Sequence, residues 1–267
     1  MLSVYIDAVG LAAPGLPTWN DSQAILCGKK PYVASELEKY KPLQLPPNER
    51  RRATELVRIA FRVCEDMMNN SQVSMRDCAS VFASSGGDYP IIDQICKALC
   101  EEERLVSPTQ FHNSVHNSAA GYWGIATESQ LASASISAYD YSFNAGLLEA
   151  ASLCCSENLY TILAVYDIKP PAPIDEKRNI TTEFGAAFLL SPQKTAQSMV
   201  KLSINNLGVS VTAASVSSNS QLEQLRLSNP AARTLPLLEL IARKESGQIY
   251  LLGANNAAVQ VDVSPCN

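Results

Sequence analysis

The sequence is short of the features that mark a nucleic-acid binder, a membrane span or a thiol metal site. Acidic residues outnumber basic ones by 26 to 21, giving a net charge of −5 and a pI near 5.2. The concentrated basic surface that phosphate binding needs is therefore missing, and no nucleic-acid partner is expected. No apolar run approaches the roughly 18–20 residues that cross a bilayer, so no membrane insertion is expected. The first residues, Met1-Leu2-Ser3-Val4-Tyr5-Ile6-Asp7, carry no basic n-region and run straight into an alternating strand pattern, so no leader is expected either. Eight cysteines, at 27, 64, 78, 96, 100, 154, 155 and 266, form neither a CxxC nor a Cys–His spacing. No metal and no cofactor follow from them. Most sit in apolar helical or strand patterns, as buried free thiols do, which points to a reducing cytoplasm. There is no short repeat and no low-complexity segment.

What is present suits one sizeable core, or two fused half-domains sharing one: 267 residues, of which 46% are hydrophobic. Residues 2–9 alternate as a strand, and Asn20-Asp21 are placed to cap a short helix ending at Cys27-Gly28. A proline-rich loop over 32–47 leads to the strongest helical pattern, capped by Asn48 and carrying Leu56, Val57, Ile59, Ala60, Val63 and Met67. A strand over 79–84 ends in Ser85-Gly86-Gly87-Asp88. A helix over 91–102, a polar turn over 107–113 and a small-residue helix over 117–127 follow. Next come a strand (133–138), a helix (143–155), a strand (159–166) and a loop rich in proline and charge (168–180). Strands near 183–190 and 200–206, a helix near 235–244 and strands over 248–253 and 257–263 complete the chain. Strands alternating with helices predict βαβ units and a mostly parallel, helix-covered sheet.

Three segments together resemble the ketosynthase branch of the thiolase-fold superfamily. They are Val81-Phe82-Ala83-Ser84-Ser85-Gly86-Gly87-Asp88, the run from Ser107-Pro108-Thr109-Gln110-Phe111-His112 through Ser114-Val115-His116-Asn117-Ser118-Ala119-Ala120-Gly121, and Ile136-Ser137-Ala138-Tyr139-Asp140 through Gly146-Leu147-Leu148-Glu149-Ala150. Glu183-Phe184-Gly185-Ala186-Ala187 is a weaker fourth, and Leu251-Leu252-Gly253-Ala254-Asn255-Asn256-Ala257 is similar to the family's late Gly-Thr-Asn turn. The resemblance covers roughly residues 1–192. It is nearest to the short, cysteine-less chain-length factors of aryl polyene-type polyketide and fatty-acid-like pathways. It implies an α/β thiolase-like fold with a shortened C-terminal half, divided into 1–192 (ketosynthase N-terminal-like) and 193–267 (a truncated half packed on the same core).

The departures from the family pattern matter more than the matches. A ketosynthase places a cysteine at the N-terminus of a buried helix, where the dipole and free N–H groups lower the thiol pKa and hold the thioester oxyanion. Aligning Ile136-Ser137 with the family's nucleophile run puts Asp140 on that spot. The nearest cysteines, Cys154 and Cys155, lie about four turns further along. The family's decarboxylating histidine pair belongs to the C-terminal half, yet no histidine follows His116. Asp140 is therefore expected to be a non-nucleophilic N-cap that fills the vacant oxyanion site with its own charge.

The expected role is that of a pseudoenzyme: a cytoplasmic subunit pairing with a full-length β-ketoacyl-ACP synthase and meeting the acyl carrier protein only indirectly. Phe111, His112, Asn113, Val115, His116, Tyr139, Tyr141 and Phe143 are the candidate interface and acyl-tunnel residues, beside the bland reading that such aromatics are core filler. Arg50-Arg51-Arg52 is a weak candidate for carrier docking, or simply a solvated first helical turn. Basic charge there would oppose a helix dipole. Two rivals stand beside this: a malonyl-ACP decarboxylase or other acyl-thioester enzyme using Asp140, and a homodimeric acyl-binding scaffold.

Overall fold

A computed structural model describes residues 1–207, 214–254 and 257–266. The chain runs β1 (Leu2–Ala12), α1 (Trp19–Leu26), α2 (Pro47–Arg52), α3 (Glu55–Asn69), β2 (Ala79–Ala83), α4 (Tyr89–Cys100), α5 (Pro108–Asn113), α6 (Ser118–Thr127), β3 (Ser133–Ile136), α7 (Ser142–Glu157), β4 (Thr161–Asp167), β5 (Phe184–Ser191), β6 (Val200–Leu207), α8 (Ser220–Ser228), α9 (Leu235–Arg243), β7 (Gly247–Leu252) and β8 (Ala258–Pro265). The eight strands form one sheet in the order β3-β2-β4-β5-β1-β6-β8-β7.

Each central strand divides its side chains between two helical layers, as the period of two requires. Val81, Ala83, Leu163, Val165, Phe184, Ala186 and Phe188 meet Phe143, Leu147, Ala150 and Ala151 of α7 on one face. Phe82, Ile162, Ala164, Tyr166, Ala187 and Leu189 meet α3 and the Tyr122–Trp123 pair of α6 on the other. Both faces being covered, these strands read as nearly continuous apolar runs. Two glycines set how closely the helices approach. A Cβ on Gly10 would stand 2.0 Å from the Val63 carbonyl oxygen, and one on Gly146 would stand 2.8 Å from Ala83 Cβ. So α3 lies directly on β1, and α7 directly on β2.

Several expectations need correction. The sheet is mixed: among the described residues only β2–β3 and β2–β4 are parallel, and the remaining pairs are antiparallel. The reason is that the helical crossovers joining β2, β3 and β4 end at β4 and return only between β6 and β7, where α8 and α9 intervene. The connection to β5 holds only a 3₁₀ turn, so the chain folds straight back. The long helix expected from Asn48 is two helices, broken at Ala53-Thr54, where Thr54 becomes extended and its hydroxyl accepts from Val57 N–H. Thr18, not Asn20-Asp21, caps α1. The polar turn near 108–113 is helical, and α8 lies in a segment for which no helix was expected.

The cysteines also differ from expectation. Cys64, Cys78 and Cys154 are buried, but Cys96, Cys100 and Cys155 are exposed. Those three sit on the solvent faces of α4 and α7, whose periodicity carries apolar and polar positions alike. Helix α7 is buried on one face only, with Glu149, Ser152 and Ser156 open to solvent.

Candidate functional site

The turn between β3 and α7 gathers the unusual chemistry. Tyr139 has a left-handed backbone (φ +53°), and Ser142 closes the turn: its hydroxyl accepts from Ala138 N–H at 3.0 Å and donates to the Tyr139 carbonyl at 2.7 Å. Asp140 does not cap the helix. Tyr141 holds the N-cap position without a side-chain cap bond, and the Asp140 carboxylate turns away from the helix N–H groups. The N-cap and oxyanion-filling expectation is thereby corrected. Two guanidinium groups offer this carboxylate stronger, charge-assisted partners than the backbone does.

Those partners are Arg178 and Arg233. Arg178 Nη1 donates to Asp140 Oδ1 at 2.8 Å, and Arg233 Nη2 donates to Oδ2 at 3.0 Å. Each arginine also covers a tyrosine beside the aspartate. Arg178 lies 3.7 Å from the Tyr139 ring centroid and Arg233 lies 5.9 Å from that of Tyr141. The sequence Tyr-Asp-Tyr is therefore clamped from both sides, by the loop before β5 and by the 3₁₀ turn Pro230–Thr234. Arg178 further donates from Nε to Tyr89 Oη at 3.1 Å. Burial works to lower its pKa, but the bonds to Asp140, Tyr139 and Tyr89 outweigh that and hold it above the usual range. Arg233 shifts the opposite way, lowered by burial with Asp140 opposing. Both stay charged near neutrality.

Behind this clamp lies a buried polar network at the C-terminal ends of β2 and β4. Asp167 Oδ1 accepts from Ser84 Oγ, Ser85 N–H and Ser85 Oγ at 3.0, 2.8 and 2.8 Å. Burial pushes its carboxyl up to about 6, against the pull of those bonds and of Arg178. Ser137 Oγ donates to the Ser85 carbonyl, and His116 Nε2 lies 3.3 Å from the Ser84 carbonyl. The motif Ser84-Ser85-Gly86-Gly87 thus serves as a hub joining β2, β4 and the clamped turn.

The interface candidates separate by burial. Phe111 and Val115 are exposed (69% and 51%) and, with His112, Tyr122 and Ile125, line an apolar groove of about 550 Å³ between α5 and α6. His112 packs edge-on to Tyr122, with ring centroids 6.0 Å apart. Asn113 points inward, donating to the Arg52 carbonyl at 3.0 Å and accepting from Tyr122 Oη at 3.0 Å. Phe143 is in the core, stacked on Phe188 at 6.4 Å.

Arg50, Arg51 and Arg52 occupy the last turn of α2, where the dipole favours positive charge. The expected opposition at a helix start is therefore corrected; the proline at Pro47 begins the helix earlier than a cap at Asn48 would. Arg50 is used locally, donating to the Leu43 and Leu45 carbonyls at 2.9 and 2.7 Å, while Arg51 and Arg52 are exposed.

Sequence reasoning missed Arg178, Arg233, Tyr89 and Asp167. Asp167 left one usable signal, a carboxylate closing the apolar run Thr161–Tyr166. The arginines left none, because each looks like an ordinary charge in a loop. Of the late turn resembling Gly-Thr-Asn, Asn255 and Asn256 lie outside the described residues. Among the described residues no helix is long and apolar enough to cross a membrane, and no group of three or more His, Cys, Asp and Glu could hold a metal ion.

The family model described as β-ketoacyl synthase, N-terminal domain, matches residues 25–249. No curated protein matches the chain in sequence. Among solved structures, the ketosynthase ApeO in complex with its chain length factor ApeC from Xenorhabdus doucetiae aligns at TM-score 0.71 and 23% identity, over 99% of this chain and 100% of that one. The ishigamide ketosynthase/chain length factor aligns at TM-score 0.74 and 11% identity, over 100% of both chains. A β-ketoacyl synthase from Burkholderia phymatum STM815 aligns at 0.70 and 10%, over 100% of both. At these identities the likeness is one of fold, the thiolase-like α/β fold expected from the sequence.

Proposed function

The chain belongs to the β-ketoacyl synthase N-terminal domain family, and on that premise we propose that it is the non-condensing, chain-length-factor partner of an active β-ketoacyl-ACP synthase. The observation that carries this reading is the state of Asp140. Where the family keeps a nucleophile, this chain has a carboxylate with both oxygens taken by Arg178 and Arg233. A carboxylate with both oxygens so engaged is held away from an acyl carbon, and the paired arginines cover the turn an acyl thioester would approach.

No thiol replaces it. Cys154, buried at the far end of α7, has its pKa pushed up to about 12 by burial and is not a thiolate at neutral pH. No histidine follows His116, so the family's decarboxylating pair has no counterpart. The decarboxylase rival would need Asp140 free to take a proton, and the clamp opposes that.

The partner would meet the open end of the sheet, at the groove of Phe111, Val115 and Ile125 beside the outer strand β3. Apolar side chains exposed together mark interaction surfaces more often than isolated ones do. Phe111, His112, Val115 and His116 would shape the partner's acyl tunnel from this side, and a carrier protein would be met through the complex. The product class, a polyene made in the cytoplasm on a carrier protein, rests on the resemblance alone. We place the division at 192/193. In support, β6, β8 and β7 repeat the antiparallel relations of β1, β5 and β4 in mirrored order, whereas no described strand corresponds to β2 and β3 in the second half.

Co-expression with a full-length β-ketoacyl-ACP synthase, purified through a tag on this chain, tests the proposal. A stoichiometric condensing complex that survives D140A but not loss of the synthase's own cysteine is expected. A self-sufficient homodimer that consumes malonyl carrier protein and loses this activity in D140A would overturn it.

A further inference from the structure

Tyr139 and Arg178 support an inference that rests on the pairing just proposed and specifies it. Tyr139 leaves 55% of its surface in solvent, yet its backbone sits in the left-handed region that a bulky residue adopts only under constraint. Ser142 holds that backbone through its hydroxyl bond to the Tyr139 carbonyl, and Arg178 fixes the ring, its guanidinium covering one face at 3.7 Å while pairing with Asp140 at 2.8 Å and Tyr89 at 3.1 Å. Because Arg178 is itself buried, the ring rests on a fixed platform.

This arrangement adds little to the chain's own core, since most of the ring points outward. A rigid, protruding aromatic with little rotamer freedom left to lose is the composition of an interface anchor. Its place in the fold says what receives it. Tyr139 follows β3 by three residues, and β3 is the outer strand of the sheet, paired only with β2 among the described residues. The ring therefore continues the sheet edge assigned above to the ketosynthase.

We propose that Tyr139 is an anchor of the interface with the ketosynthase, and that Arg178 is its positioning residue, fixing the ring in the attitude the partner's surface receives. The test is the Kd between this chain and the full-length ketosynthase for wild type, Y139A, Y139F, R178K and the double variant Y139A/R178K, with the thermal midpoint of each chain measured alone. Y139A should weaken pairing on the order of 10-fold or more with the midpoint unchanged, and Y139F should restore it. R178K keeps a charge for Asp140 but loses the planar stack. It should weaken pairing by itself, yet add nothing in the Y139A background, which a merely structural role would not produce.

Wild type that pairs no better than Y139A overturns the anchor and leaves the pairing intact. Additive losses in the double variant overturn the positioning role of Arg178. Wild type that does not pair at all overturns the underlying reading. Should R178K fail to fold alone, R178Q takes its place under the same criterion.

Discussion

Asp140 and Arg233 are 93 positions apart in the chain and 3.0 Å apart in space, and with Arg178 they tie the turn before α7 to two segments that follow it. Removing the carboxylate leaves a buried Arg178 without its charge partner. D140A should therefore cost about 2–3 kcal/mol in urea unfolding, a partly buried value below that of a fully buried pair. In a double-mutant cycle, R178M should recover about 1–2 kcal/mol of that loss. Additive effects would show that the pair contributes no coupling.

Asp167 predicts a pH dependence. Its folded-state pKa of about 6 lies above the unfolded value, so the folded chain holds this proton more tightly. The group's contribution to stability is fully present below about pH 4 and is lost as pH rises through about 6. D167N keeps an acceptor for Ser84 and Ser85 and carries no charge. Relative to wild type it should gain about 3 kcal/mol between pH 4 and pH 8. Parallel stability–pH curves for the two proteins would contradict this.

Two glycines should respond in opposite directions to the same substitution. At Gly10 a methyl group meets the backbone of α3, and G10A should destabilise by more than about 3 kcal/mol or prevent folding. At Gly124, inside α6, nothing lies within 4 Å of the added Cβ. G124A should raise stability by about 0.5–1 kcal/mol through helix propensity. Thermal unfolding of both variants decides the matter.

Phe111 separates binding from folding. It is 69% exposed, so F111A should leave the midpoint of the isolated chain unchanged while weakening ketosynthase pairing about 10-fold or more. Calorimetry of the complex measures this directly. An unchanged Kd would remove the groove from the interface.

The three arginines of α2 should behave differently from one another. R50A breaks two bonds to loop carbonyls and should cost about 1–2 kcal/mol. R51A and R52A should each fall within about 0.5 kcal/mol of wild type in denaturant unfolding. If only the R51E/R52E double variant impairs turnover of carrier-bound substrate by the complex, these two residues contact the carrier; unimpaired turnover leaves them as surface charges.

The family resemblance was legible because its motifs lie in continuous segments, and at least one of their small residues is required by close packing of a helix on a strand, Gly146 against Ala83. The absence of histidine after His116 was legible in the sequence directly. Strand direction after β4 was not legible, since hydrophobic periodicity reports burial and says nothing about which way a buried strand runs. The break between α2 and α3 was missed because Thr54 interrupts an otherwise helical pattern by a local hydroxyl bond.

The sequence by itself determined which residues are apolar and in what period, and so most of the helices and strands, though not α5, α8 or the break at Ala53-Thr54, and it put an aspartate and not a cysteine at position 140. Only the tertiary structure decided what that aspartate touches. Arg178 and Arg233 look like loop charges in the sequence, and a charge finds its partner through space. The clamp exists because the sheet brings the loop before β5 and the turn before α9 to the same end of α7, where burial makes an unpaired carboxylate or guanidinium costly and a paired one stable.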